Sequence, residues 1–115
     1  MLIHKMIHGY SKKYQEAVQE FVRRIEKDHY DEIESIILFG SVARGEEQED
    51  YDIDILVIIK EEDFQLRRLF IGEAFDTFMK TGKNVSAKVI SHDDFHLRKN
   101  YSFLKNVMAD GVKIA

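Results

Sequence analysis

The sequence predicts a small α/β fold, a mixed sheet of three or four short strands with helices packed on it, and three observations predict it. Short continuous apolar runs stop at glycine or polar residues, as buried strands do. Between them lie segments whose apolar residues recur every three or four positions, as on helices. Strands alternating with helices imply a layered α/β sandwich. The length of 115 residues supports one hydrophobic core and not two, so residues 1–115 read as a single domain.

The elements follow in order. Ser11 is an N-cap for a first helix to about Lys27, whose inner face is Tyr14, Ala17, Val18, Phe21, Val22 and Ile25. Ile36-Ile37-Leu38-Phe39 is a buried strand halted by Gly40. Residues 40–51 are polar with two glycines, which reads as a loop with a turn of helix after Ser41. Residues 52–59 form a second strand, apolar on both faces after its start and therefore central. Asp63 caps a helix to about Lys80, and Gly82 stops it. A third strand over residues 85–90 ends at Ser91, another N-cap, ahead of one or two short helices and a terminal Val112-Lys113-Ile114. If a helical crossover joins the second and third strands, they run parallel, which sets Ser86 beside the start of the second strand.

Composition excludes several classes. No apolar run approaches the ~18 residues of a membrane span, and the start Met1-Leu2-Ile3-His4-Lys5 does not resemble a signal peptide. The absence of cysteine excludes disulfides and thiolate zinc sites, and fits the cytoplasm. A net charge of −4, with basic residues interleaved among acids, argues against a nucleic-acid partner. A small anionic ligand needs only a few local donors.

The informative stretch is Leu38-Phe39-Gly40-Ser41-Val42-Ala43-Arg44-Gly45, followed by Tyr51-Asp52-Ile53-Asp54-Ile55-Leu56-Val57. A buried strand delivers Gly40 and Ser41 to a strand-to-helix turn. There glycine permits close backbone approach, and free amides favour phosphate. The Ser41 hydroxyl adds a donor, and Arg44 beside the Gly45 turn offers a guanidinium fork. Asp52 and Asp54 are two apart on a strand and project from one face. Their mutual repulsion is relieved by a cation between them, and oxygen-only ligands suit Mg²⁺. Phosphate donors facing a metal-holding edge are the minimum equipment for phosphoryl or nucleotidyl transfer.

Gly40-Ser41, ten residues, then Asp52-x-Asp54 resembles the signature of the DNA polymerase beta-type nucleotidyltransferase superfamily. The words Gly-Ser-x-Ala-Arg-Gly and Asp-Ile-Asp-Ile-Leu-Val are similar to its smallest branch, the minimal nucleotidyltransferases. The resemblance implies that Gly40 and Ser41 bind the triphosphate of ATP and that Asp52 and Asp54 hold two Mg²⁺ ions. It further implies AMP transfer to an acceptor hydroxyl, a tyrosine on a HEPN-family toxin partner. Two positions depart from the branch. Tyr51 stands where serine is common, and residues 84–90 carry no acid where active members usually have a third carboxylate. Asp93 and Asp94 lie too far along the chain to substitute. The second reading is therefore a catalytically degenerate antitoxin that neutralises its partner by contact.

Outside the motif, the helix after Asp63 divides its apolar residues. Phe64, Ile71, Ala74, Phe75, Phe78 and Met79 read as the core face, leaving Leu66, Leu69 and Phe70 as a contact surface for a HEPN partner or a second copy. His92 and His96 have the i, i+4 spacing of metal ligands, but no third ligand is evident in the sequence. His4, His8 and His29 read as surface residues. Lys88, amid an apolar strand, either meets a phosphate or snorkels to the edge.

Overall fold

The computed structural model describes residues 11–45 and 51–115, so His4, His8 and residues 46–50 of the loop lie outside the described residues. The chain forms α1 (Lys12–His29), a 3₁₀ turn at Tyr30–Glu32, β1 (Ile33–Phe39), α2 (Gly40–Ala43) and β2 (Ile53–Ile59). Then come α3 (Phe64–Thr81), β3 (Val85–Ser91), α4 (His92–Arg98), α5 (Ser102–Asp110) and β4 (Val112–Lys113). The strands make one mixed sheet in the order β3-β2-β1-β4. β1 is antiparallel to β2 and to β4, and β2 is parallel to β3.

Local chemistry sets the ends of the elements. Ser11, Asp63 and Ser91 cap α1, α3 and α4, accepting from the amides of Tyr14, Leu66 and Asp94. Gly82 closes α3 in the left-handed conformation, its amide donating to the Phe78 carbonyl. The helical turn after β1 begins at Gly40 rather than after Ser41.

Strand alternation divides the core into two layers. Ile36 and Leu38 of β1 join Ile53, Ile55, Val57 and Ile59 of β2 under α1 and α3. Ile37, Phe39, Leu56 and Ile58 point the other way, beneath Leu104 and Val107 of α5. β2 is buried on both faces because it lies between two strands and between two helical layers. Asp54, in step with Leu56 and Ile58, belongs to the second and smaller layer.

Apart from Ala74, which is buried as expected, the helix α3 reverses the expected assignment of its faces. Leu66, Phe70, Ala74 and Thr77 are buried, whereas Phe64, Ile71, Phe75, Phe78 and Met79 are exposed. Of the three residues expected to form a contact patch, only Leu69 is exposed, at 45%. The reason is that α3 carries two apolar stripes. The buried one includes the small Ala74, in the same core cluster as Ala17, Val18 and Phe21 of α1, and the Thr77 hydroxyl is satisfied by donating to the Glu73 carbonyl at 2.8 Å. A threonine bonded in this way buries like an aliphatic residue, so hydropathy alone chose the wrong stripe. His29 also departs from a bare surface residue. Its Nδ1 lies 2.8 Å from Glu32 Oε1, and its ring meets Phe70 edge-on.

Candidate functional site

At the end of β1 the chain turns sharply, and Gly40 takes φ +76°. Because Phe39 pairs with Asp54, the side chain of Asp54 lies over the Gly40 Cα. A Cβ at residue 40 would overlap Asp54 Oδ2 and come 3.1 Å from its Cγ. Glycine is thus required twice, for conformation and for space. Gly40→Ala should cost about 1–2 kcal/mol for the left-handed conformation alone. The overlap with Asp54 adds to that, so chemical denaturation should show a larger loss. Gly45, φ +77°, differs: among the described residues nothing lies within 4 Å of a Cβ built there, and its left-handed turn is closed by its amide on the Val42 carbonyl at 3.0 Å.

Asp52 is exposed just before β2, and Asp54 is half-buried as its second residue. Two apart on extended backbone, they share a face. The segment is anchored from both sides. The Tyr14 hydroxyl of α1 donates to the Tyr51 carbonyl at 3.3 Å, and the Ile53 amide donates to the Asn84 carbonyl at 2.9 Å. Burial, and then the charge of Asp52, raise the pKa of Asp54; Lys88 and Arg44 act in the opposite sense. Among the described residues no ion pair holds either carboxylate. The arrangement is a concentration of negative charge with oxygen donors only, which fits a hard divalent cation.

Around this pair the structure gathers most of the residues singled out in the sequence. Ser41 is half-exposed in α2, and Arg44 Nη2 donates to its hydroxyl at 3.4 Å. Arg44 Nη1 also faces Asp110 Oδ2 at 3.4 Å, with both side chains exposed by about two-fifths. An exposed pair of this kind is weak and exchanges readily for another anion. Nothing in the spacing signalled Asp110, because it stands 66 positions from Arg44. In the parallel β2–β3 pair, Asp54 is opposite Ser86, as the helical-crossover argument expected, and Leu56 is opposite Lys88. Lys88 therefore lies on the face of Asp54, with its ammonium 5.8 Å from the centre of the Phe103 ring. The position that would supply a third carboxylate holds a serine hydroxyl.

Next to Lys88 a cleft of about 320 Å³ opens between the sheet and the α4–α5 layer, lined among others by Leu56, Arg98, Tyr101, Phe103 and Leu104. Its walls combine aromatic rings with cations, a lining suited to a planar or anionic ligand. His92 and His96 lie at the opposite end of β3 and take no part in this site. Among the described residues no helix is long and apolar enough to cross a membrane.

Comparison with known proteins agrees with this architecture. The nucleotidyltransferase domain family model matches residues 17–112. A Methanocaldococcus jannaschii relative named "Putative protein adenylyltransferase MJ0604" is 37% identical over 97 residues, covering 84% of this chain and 93% of that protein. A second from the same organism, "Putative protein adenylyltransferase MJ1379", is 50% identical over 42 residues, 36% of this chain and 41% of that protein. Among solved structures, a toxin–antitoxin complex with AMP-PNP shares the fold at TM-score 0.56 and 21% identity, over 83% of this chain and 70% of that one. A complex of tri-AMPylated Shewanella oneidensis HEPN toxin with MNT antitoxin does so at TM-score 0.51 and 18% identity, over 90% and 71%. With the family model spanning most of the sequence and a relative of similar length at this identity, the chain belongs to the nucleotidyltransferase domain family.

Proposed function

We propose that this chain is a Mg²⁺-dependent adenylyltransferase that moves AMP from ATP to a tyrosine hydroxyl on a HEPN-type partner. The observation that carries the reading is the pair Asp52–Asp54, without an ion pair among the described residues and with Asp54 packed against the Gly40 turn. In this reading the two carboxylates would hold two Mg²⁺ ions, which would supply stabilisation of the charge developing on the attacking and leaving oxygens. Gly40, Ser41 and Gly45 shape the triphosphate loop. Arg44 exchanges its weak contact with Asp110 for a phosphate. The acceptor oxygen attacks the α-phosphorus, the bond to the α–β bridging oxygen breaks, and pyrophosphate is the leaving group. The acceptor's proton passes to solvent, since Ser86 is no base at neutral pH. The cleft beside Lys88, lined by Tyr101 and Phe103, would receive an aromatic ring on the sheet face that carries Asp54.

The names of the relatives support AMP as the transferred group, and the AMPylated HEPN complex supports the class of acceptor. The direct test incubates the protein with ATP, Mg²⁺ and the protein encoded beside it, followed by mass spectrometry. An adduct of one or more AMP groups on a partner tyrosine is expected. A second reading, an antitoxin acting by contact alone, is favoured by Ser86 standing opposite Asp54. Toxin neutralisation without any adduct would make it the better one.

Either reading needs a surface for the partner. We assign it to the exposed stripe Phe64, Ile71, Phe75, Phe78 and Met79 rather than to Leu66 and Phe70. Phe75→Glu should leave stability within about 0.5 kcal/mol, because the ring is 61% exposed. It should weaken capture of the partner in a pull-down at least tenfold, roughly 1.4 kcal/mol at a contact residue. Unchanged capture would place the interface elsewhere.

A further inference from the structure

At the end of the sheet away from Asp54, three metal-ligating side chains converge that neither the transferase site nor the core uses. Glu34 of β1 and His92 and His96 of α4 each offer a donor atom, and the three atoms lie within 4.8 Å of one another. The sequence shows half of this, the i, i+4 histidine pair. The third member is 58 positions from His92, and β1 brings it there. The local backbone explains its aim. Ile33 pairs with Ile59 and Ser35 with Ile58, so β1 spends two steps where β2 spends one, and Glu34 is the extra residue of a bulge. Bulges re-aim side chains, and this one turns a carboxylate toward the first turn of α4. Glu34 Oε1 stands 2.5 Å from His92 Nδ1, and the rings of His92 and His96 are 4.2 Å apart.

We propose that Glu34, His92 and His96 form a transition-metal site for Zn²⁺, separate from the proposed Mg²⁺ pair. Two imidazoles and one carboxylate are a ligand set of zinc sites with three protein ligands, which leave the fourth position to water or another donor. Nitrogen donors select Zn²⁺, Co²⁺ or Ni²⁺ over Mg²⁺, just as the all-oxygen pair at Asp52 and Asp54 selects the reverse. The required movement is small. Donors of a tetrahedral zinc ion lie about 3.3 Å apart, from bonds of about 2.0–2.1 Å. The close Glu34–His92 contact opens by under about 1 Å, and the widest separation closes by about 1.5 Å, which side-chain rotation supplies at an exposed site. The ion would take the place of the hydrogen bond between Glu34 and His92. Bound there, the metal ties α4 to β1 at a point about 16 Å along the strand from the residue facing Asp54. It would also leave one coordination position open to a donor from another molecule.

The test titrates Co²⁺ and Zn²⁺ into the metal-free full chain, the His96→Gln and Glu34→Gln variants, and an Asp52→Asn/Asp54→Asn variant. The parent and the aspartate variant should each take up one equivalent of Co²⁺ with the intense visible absorption of four-coordination, and Zn²⁺ should raise their Tm. His96→Gln should lose the absorption and at least about tenfold in affinity, since a lost ligand costs no less than a lost outer partner of one. The circular dichroism of that variant should be unchanged, because the His96 side chain is exposed. Glu34→Gln should weaken binding in the same direction. The proposal is overturned if the parent binds no equivalent of this kind, or if the signal disappears with the aspartates and survives His96→Gln.

Discussion

Replacing Asp52 and Asp54 together with asparagine should lower the proposed AMP transfer by about 10³-fold or more while leaving the protein folded. The magnitude follows from the role proposed for the metals, several kcal/mol of stabilisation of transition-state charge, at about 1.4 kcal/mol per factor of ten. The retained fold follows from electrostatics. The pKa of Asp54 is raised by burial and by Asp52, so its folded-state value lies above its ordinary one. For such a carboxylate the favourable contribution to stability is complete below the ordinary carboxylate range and is lost as pH rises through the raised folded value. At neutral pH and without metal, the ionised group is therefore a net cost, and removing the charge should raise Tm. Thermal melts from acid to neutral pH should show that gain growing with pH and then levelling. In saturating Mg²⁺ the difference should shrink or reverse, since only the parent gains from the ion. A variant that unfolds would mean that the pair is structural.

Ser86→Asp should accelerate transfer by about 10²–10⁴, the usual value of general-base help. The argument is geometric. Ser86 is opposite Asp54 in the parallel pairing of β2 and β3, and residues so paired share a face. A carboxylate there would accept the proton of the attacking hydroxyl, which the native serine cannot do at neutral pH. It would also place a third negative charge beside an Asp54 already raised in pKa, so the metal-free variant should be less stable than the parent and should bind Mg²⁺ more tightly. Single-turnover rates with the partner and ATP measure the first effect, and melts with and without metal measure the second. If the rate is unchanged while Asp94→Asn abolishes transfer, the base comes from α4 and not from β3.

How much of this was legible in the sequence depends on the range of the interaction concerned. Ser11, Asp63 and Ser91 cap helices through bonds spanning three residues, so their signals are local and the element boundaries could be read directly. The placement of Ser86 opposite Asp54 was also accessible, because a helical crossover leaves a parallel neighbour little freedom. The adjacency of Gly40 and Asp54 was implied less directly, and only the pairing of β1 with β2 shows that the glycine accommodates the aspartate itself. What failed was the choice between two apolar stripes on α3. Periodicity gives the phase of each stripe, but the buried one contains Thr77, a polar residue that hydropathy does not count toward a core. The contacts of Arg44 with Asp110 and of His92 with Glu34 were hidden for a simpler reason. They join residues 66 and 58 positions apart, and nothing in either neighbourhood specifies the other.

The central claim, that the Gly40 turn and the Asp52–Asp54 pair act as one site for a metal–nucleotide complex, is tested most directly by calorimetry of ATP binding. The parent should bind ATP in the presence of Mg²⁺ and bind it weakly or not at all without it. Asp52→Asn/Asp54→Asn should bind no better with Mg²⁺ than the parent does without it. Binding by the parent that ignores Mg²⁺, or a double variant that binds Mg²⁺–ATP as well as the parent, would contradict the account.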